Sequence, residues 1–133
     1  MTRTAAELTA VAIVAAGLGT TAGTWPVGVS REPAKAPANA ITTYDTGGVD
    51  PLQLEEGLRR PTVQVRVRSA AYGAGWNKAN AIYQTLGTTY GQIYGADRVV
   101  GFACRGDVFY VGRDANDRCL FTVNFELTRD MPS

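Results

Sequence analysis

Apolar and polar residues alternate most cleanly along Pro61-Thr62-Val63-Gln64-Val65-Arg66-Val67-Arg68-Ser69. Val63, Val65 and Val67 fall on one side, and Gln64, Arg66 and Arg68 on the other. Successive side chains of a strand point to opposite faces, so this pattern predicts a strand with one face on a core. The other face is turned to water or to a charged partner. A strand buried on both faces would read as a continuous apolar run. Residues 119–127 repeat the pattern, with Phe121, Val123, Phe125 and Leu127 set against Thr122, Asn124 and Glu126. Between these strands, residues 70–86 change period. Tyr72, Trp76, Ala79, Ile82, Tyr83 and Leu86 recur at spacings of three and four, which predicts an amphipathic helix with its stripe in the core. Gly87 ends it.

At the N-terminus, Leu8, Val11, Val14 or Ala15, and Leu18 recur at helical spacing. Thr4 followed by Glu7 forms a capping-box pattern, and Gly17 and Gly19 supply the stop. The same apolar run with Arg3 before it has the look of a signal peptide. It is too short to span a bilayer, and Glu7 stands where a signal peptide favours positive charge, so the helix is the stronger reading. Trp25-Pro26-Val27-Gly28-Val29 predicts a short strand at a sheet edge, because proline cannot donate to a ladder. Pro33 and Pro37 make residues 31–39 a loop. Residues 40–44 predict a strand closed by a turn at Asp45-Thr46-Gly47-Gly48, and a flexible surface loop occupies the region near 45–60. Residues 92–96 are a strand or a turn. Residues 99–104 and 108–112 are strands around a Gly106-Asp107 turn, residues 112–118 form a hairpin loop, and the C-terminus frays. The expected fold is α+β, a single domain over 1–133, with a mostly antiparallel sheet and two helices packed on one face.

Composition narrows the function classes. Thirteen basic and twelve acidic residues leave a net charge of +1, without the basic excess of a dedicated nucleic-acid binder. The chain has no histidine, which removes the usual general base and the commonest metal ligand. Cys104 and Cys119 lack a C-x-x-C spacing and read as small buried hydrophobes. No nucleophile–base pair and no paired carboxylates stand in a motif, so the chain is not read as an enzyme and no cofactor is expected.

Residues 39–48, Asn-Ala-Ile-Thr-Thr-Tyr-Asp-Thr-Gly-Gly, and the strand at 60–68 together resemble the minor capsid and tail-terminator proteins of long-tailed bacteriophages. The helix carrying Ala79, Ala81, Ile82, Tyr83 and Leu86 fits the same pattern, as does the closing hairpin from Gly112-Arg113-Asp114 through Arg118, Phe121, Asn124 and Phe125. The resemblance covers nearly the whole chain in order. It implies a structural virion protein, assembled in the host cytoplasm, that forms a ring, usually six-fold, at the head-proximal end of the tail tube. Such a ring halts tube polymerisation and supplies the surface on which the head docks. The implied partners are other copies of the chain, the tail-tube protein and the head–tail connector proteins. Genome DNA passes through the lumen without specific binding, and no membrane is involved. The pattern departs at Asp117, where glycine is expected after Asn116, which puts the hairpin's turn geometry in question.

Gln64, Arg66 and Arg68 are the candidate subunit or lumen face, against the alternative of a plain solvated strand face. Asp114 and Asp117 are candidate acidic partners, against the alternative of polar hairpin tips. Arg105-Gly106-Asp107 matches an adhesive tripeptide but reads as a tight turn, and residues 114–117 lack the glycine and glutamate of a calcium loop. Gly47-Gly48 is followed by no phosphate-binding lysine and reads as a turn. Tyr72 and Trp76 are expected in the core rather than stacked on bases. The rival functions are another head–tail connector or neck protein, or a small soluble α+β binding module. Against the module, the polar strand faces carry none of the aromatics on which single-stranded nucleic acid stacks.

Overall fold

The computed structural model describes residues 3–20, 25–31, 38–49 and 58–130. Helix α1 spans Ala5–Ala15. The expected capping box is present: Thr4 Oγ1 accepts from the Glu7 amide at 3.2 Å, and Glu7 Oε1 accepts from the Thr4 amide at 2.8 Å. A second acceptor comes from the sheet, where Asp45 Oδ1 takes the Ala6 amide at 2.9 Å. The first-turn amides have no partner inside the helix, so Thr4 and Asp45 together satisfy two of them. The buried residues of α1 are Ala5, Ala6, Leu8, Thr9, Ala12 and Ile13. This corrects the stripe expected through Val11, Val14 and Leu18, which are only half-buried. A helix with one charged residue, Glu7, is apolar all round, so its period does not say which side faces the core.

Seven strands form one curled sheet: β1 Val27–Val29, β2 Ala40–Val49, β3 Leu58–Ser69, β4 Tyr90–Tyr94, β5 Asp97–Cys104, β6 Phe109–Arg113 and β7 Cys119–Asp130. The order is β1-β2-β3-β7-β5-β4, with β6 also paired to β7. Only β1–β2 is parallel. The proline-bearing segment at 25–29 does supply the edge strand. Strand β7 lies at the centre: β3 pairs along one side from Cys119 to Asp130, while β6 takes Cys119–Thr122 and β5 takes Phe125–Arg129 on the other.

That arrangement corrects two turns. Thr46 and Gly47 do not close a turn; β2 continues to Val49 with a bulge between Asp45 and Gly48, where Gly47 has φ +99°. One extra residue with positive φ bends a strand without ending it. The β2 and β3 strands therefore occupy both ends of the predicted 45–60 loop, and residues 50–57 lie outside the described residues. Residues 99–104 and 108–112 do not pair around Gly106-Asp107. Both run antiparallel to β7, in line with each other, and the Arg105 amide holds the break by donating to the Asn124 carbonyl at 2.8 Å. The expected fraying of residues 131–133 also lies outside the described residues.

Helix α2 spans Tyr72–Leu86 and is capped at Gly87. Its buried residues are Gly75, Ala79, Ile82 and Leu86. Ala79, Ile82 and Leu86 join Leu8, Ala12 and Ile13 of α1, the three valines of β3 and Phe121, Val123, Phe125 and Leu127 of β7 in one core cluster. Tyr72 and Trp76 are a further correction: they are 53% and 39% exposed. Gly75 faces Phe121 so closely that a Cβ there would meet the ring, and Tyr72 packs on that ring from the rim, centroids 5.4 Å apart, with its remainder exposed. Cys119 is fully buried as expected, whereas Cys104 is half-buried, its thiol donating to the Tyr83 carbonyl at 3.6 Å. Burial, reinforced by nearby Asp107, pushes the Cys104 thiol pKa up.

Candidate functional site

The register of β2, β3 and β7 aligns their polar positions in rows. Thr42, Arg66 and Thr122 stand side by side, as do Tyr44, Gln64 and Asn124. Gln64 Nε2 donates to Asn124 Oδ1 at 3.3 Å, and the Arg66 guanidinium lies 5.6 Å from the Tyr44 ring centroid, a cation–π contact. Next along, Glu126 accepts from Arg105 Nη1 at 2.9 Å and faces Arg60 Nε at 3.7 Å. Thr46 and Thr62 hydrogen-bond at 2.9 Å beside a shallow depression of about 400 Å³ lined by Thr46, Gly48, Thr62, Arg105 and Asn124. The result is a half-buried strip of cross-strand partners, not an open charged face.

Arg68 does not belong to that strip as a surface group. It is 2% exposed, the largest fully buried side chain of the protein's described residues. The alternation places it correctly on the polar side, but Ala40 and Thr42 on β2 beside it are also buried. Of the candidate face, Arg66 is half-buried, whereas Arg68 is buried and not available at the surface of the single subunit. Arg66→Glu with Arg68→Glu would not leave the monomer intact, because a buried carboxylate replaces a buried guanidinium.

The acidic hairpin tip is largely self-contained. Asp114 Oδ1 accepts from the amides of Asn116 and Arg118, both at 2.9 Å, and Oδ2 accepts from Arg118 Nε at 2.8 Å. The hydrogen bond from the Arg118 amide, above all, holds the Asp114 carboxyl below its usual pKa. Asp117 sits at φ +61°, so it adopts the left-handed conformation for which glycine was expected. Its exposed carboxylate lies 3.5 Å from Arg113. Arg66 and Asp114 are thus engaged within the chain, and Gln64 with Asn124; Asp117 is the most open of the five candidates.

Sequence reasoning missed a polar staple on the core side. Arg129 is 4% exposed; its Nη2 donates to Asp97 at 2.9 Å and its Nη1 to the Arg3 carbonyl at 2.6 Å. Arg3 in turn donates to the Tyr94 carbonyl at 2.9 Å. The signal was present, since Arg129 continues the apolar row Phe121, Val123, Phe125, Leu127 by one more step of two. Among the described residues, no group of three His, Cys, Asp or Glu side chains could hold a metal, and no helix is long and apolar enough to cross a membrane.

A family model described as bacteriophage tail terminator protein matches residues 13–131. No curated protein matches the chain. Among solved structures, a chain from the virion of a native gene transfer agent particle is similar with a TM-score of 0.50. It is 13% identical over 79% of this chain and 78% of that one, a likeness of fold.

Proposed function

This chain belongs to the bacteriophage tail terminator family, and we propose that it closes the head-proximal end of the tail tube as a ring of identical subunits. The match over residues 13–131 carries the reading. The chain is a structural protein of the phage tail; in this proposal the ring is six-fold, stops the tube from growing and offers its upper side to the head–tail connector proteins. Two features support it. A net charge of +1 suits a lumen that lets DNA pass without holding it, since DNA affinity rises with each phosphate neutralised. The strip of Gln64, Arg66, Arg105 and Glu126 offers hydrogen-bonding groups already held in place, which suits a polar subunit or tube contact.

A phage lacking the gene is expected to yield tails of uncontrolled length that do not join heads, seen in electron micrographs. Normal-length tails without heads would place the chain elsewhere in the neck, and normal, head-joined tails would reject the assignment. Arg66→Glu is expected to lower particle yield at a cost of about 1–2 kcal/mol to the monomer, the scale of a cation–π contact from exposed to desolvated, leaving it folded. Unchanged yield would make this strip a solvated face.

A further inference from the structure

Among the described residues two apolar surfaces stand open, one at the β1 edge of the sheet and one along β6, on the far side of β7 from β3. At the β1 edge, Ala10, Val11, Val14 and Ala15 of α1 and Val27 of β1 line a groove of about 310 Å³. Beyond β7, β6 is paired on one side only among the described residues and carries Phe109, Tyr110 and Val111, which are 63%, 40% and 47% exposed. Tyr72 and Trp76 of α2 extend this edge, with the Tyr72 and Tyr110 rings 5.1 Å apart.

We propose that the aromatic β6 edge of one copy of this chain seats in the α1–β1 groove of the next, a head-to-tail contact. The proposal rests on the ring reading and names the surfaces that would build the ring.

Four observations converge on a second copy as the occupant. An edge strand bearing three adjacent apolar residues invites association unless something covers it. A helix that is apolar all round belongs in an interior, yet α1 leaves Val11 and Val14 half-exposed. On the helix side of the sheet the exposed portions of Tyr72, Trp76 and Tyr110 amount to roughly 260 Å², taking ~150–250 Å² per buried aromatic, while Phe109 adds apolar surface on the opposite face beside Thr122. The helix-side patch alone is about a third of what one partner contributes to a standard interface of ~800 Å² per side. Finally, a closed ring needs two different surfaces on opposite flanks of each subunit, and the strand order puts β1 at one flank and β6 toward the other. The groove is lined by aliphatic groups and the edge by aromatic rings, so neither surface is its own complement.

The test uses the full chain with Phe109→Asp and Val14→Asp. Phe109 is exposed and Val14 half-buried, so the thermal midpoint should match the parent chain for Phe109→Asp and fall modestly for Val14→Asp; Val111→Asp and Ala15→Asp, both at exposed positions, replace either variant that does not fold. By sedimentation velocity the parent chain should self-associate with concentration, and each variant should associate at least tenfold more weakly. Mixed one to one, the variants should form a heterodimer and nothing larger, because the Phe109→Asp chain retains a groove and the Val14→Asp chain retains an edge. A parent chain that stays monomeric, a variant that associates like the parent, or a mixture without heterodimer would overturn the proposal. The knockout micrographs read the tail phenotype independently, so failure here with that phenotype present removes these surfaces and leaves the terminator reading standing.

Discussion

At Gly75 two effects of opposite sign meet. Alanine in a helix interior gains about 1 kcal/mol over glycine. Here, however, a Cβ would stand 2.6 Å from Cε2 of Phe121 and 3.0 Å from Cβ of Ser69, both fully buried. Overpacking costs about 1–3 kcal/mol, and a 2.6 Å approach to a buried ring calls for the upper part of that range, about 2–3 kcal/mol, so Gly75→Ala should lower stability by roughly 1–2 kcal/mol net in a denaturant titration. An unchanged midpoint would mean that Phe121 has room to move. Arg68→Glu should cost about 3 kcal/mol or more and fail as a test of assembly, whereas Arg66→Glu should not. Asp114 gives a pH dependence confined to one loop. Its carboxyl pKa is lowered in the folded chain, so its contribution is full above the ordinary value of 3.8 and is lost as pH falls through the folded value. Amide exchange of Asn116 and Arg118 should therefore quicken on acidification below about pH 4 relative to the β7 core, and Asp114→Asn should largely abolish the difference.

Among the elements, α1 is anchored by two caps of different origin, Thr4 from its own chain and Asp45 from β2. Thr4→Ala and Asp45→Ala should each cost about 1 kcal/mol by thermal or chemical unfolding. Only the first of these caps was legible in the sequence, because a capping box is local and Asp45 is thirty-nine residues from the amide it accepts. The same division runs through the fold. The faces of β3 and β7, the extent of α2 and the N-terminal helix follow from period and local signals, and so does the hairpin at 113–119. The bulge at Thr46-Gly47 and the break at Arg105-Gly106-Asp107 did not, since glycine with a short polar residue serves a turn, a bulge or a jog equally well. Long-range pairing chooses among them. Burial of Arg68 was hidden for a related reason: alternation tells which side a residue takes, not what covers that side.

For the whole molecule, the decisive feature is that the central strand, β7, follows in the chain every other described strand of its sheet. Without β7, strand β3 would lose one of its two neighbours, β5 would lose its tie to β3, β6 would have no partner, and Phe121, Val123, Phe125 and Leu127 would leave the core. A chain ending at residue 118 should lack cooperative unfolding and near-native β signal in circular dichroism; a folded fragment would contradict this. Synthesis proceeds from the N-terminus, so β3, β5 and β6 are all made before the strand that joins them. Prematurely terminated chains would then remain open to proteolysis and could not enter an assembly. Completion of β7 thus acts as a check on the chain, since a copy without it has no folded surface to offer a partner.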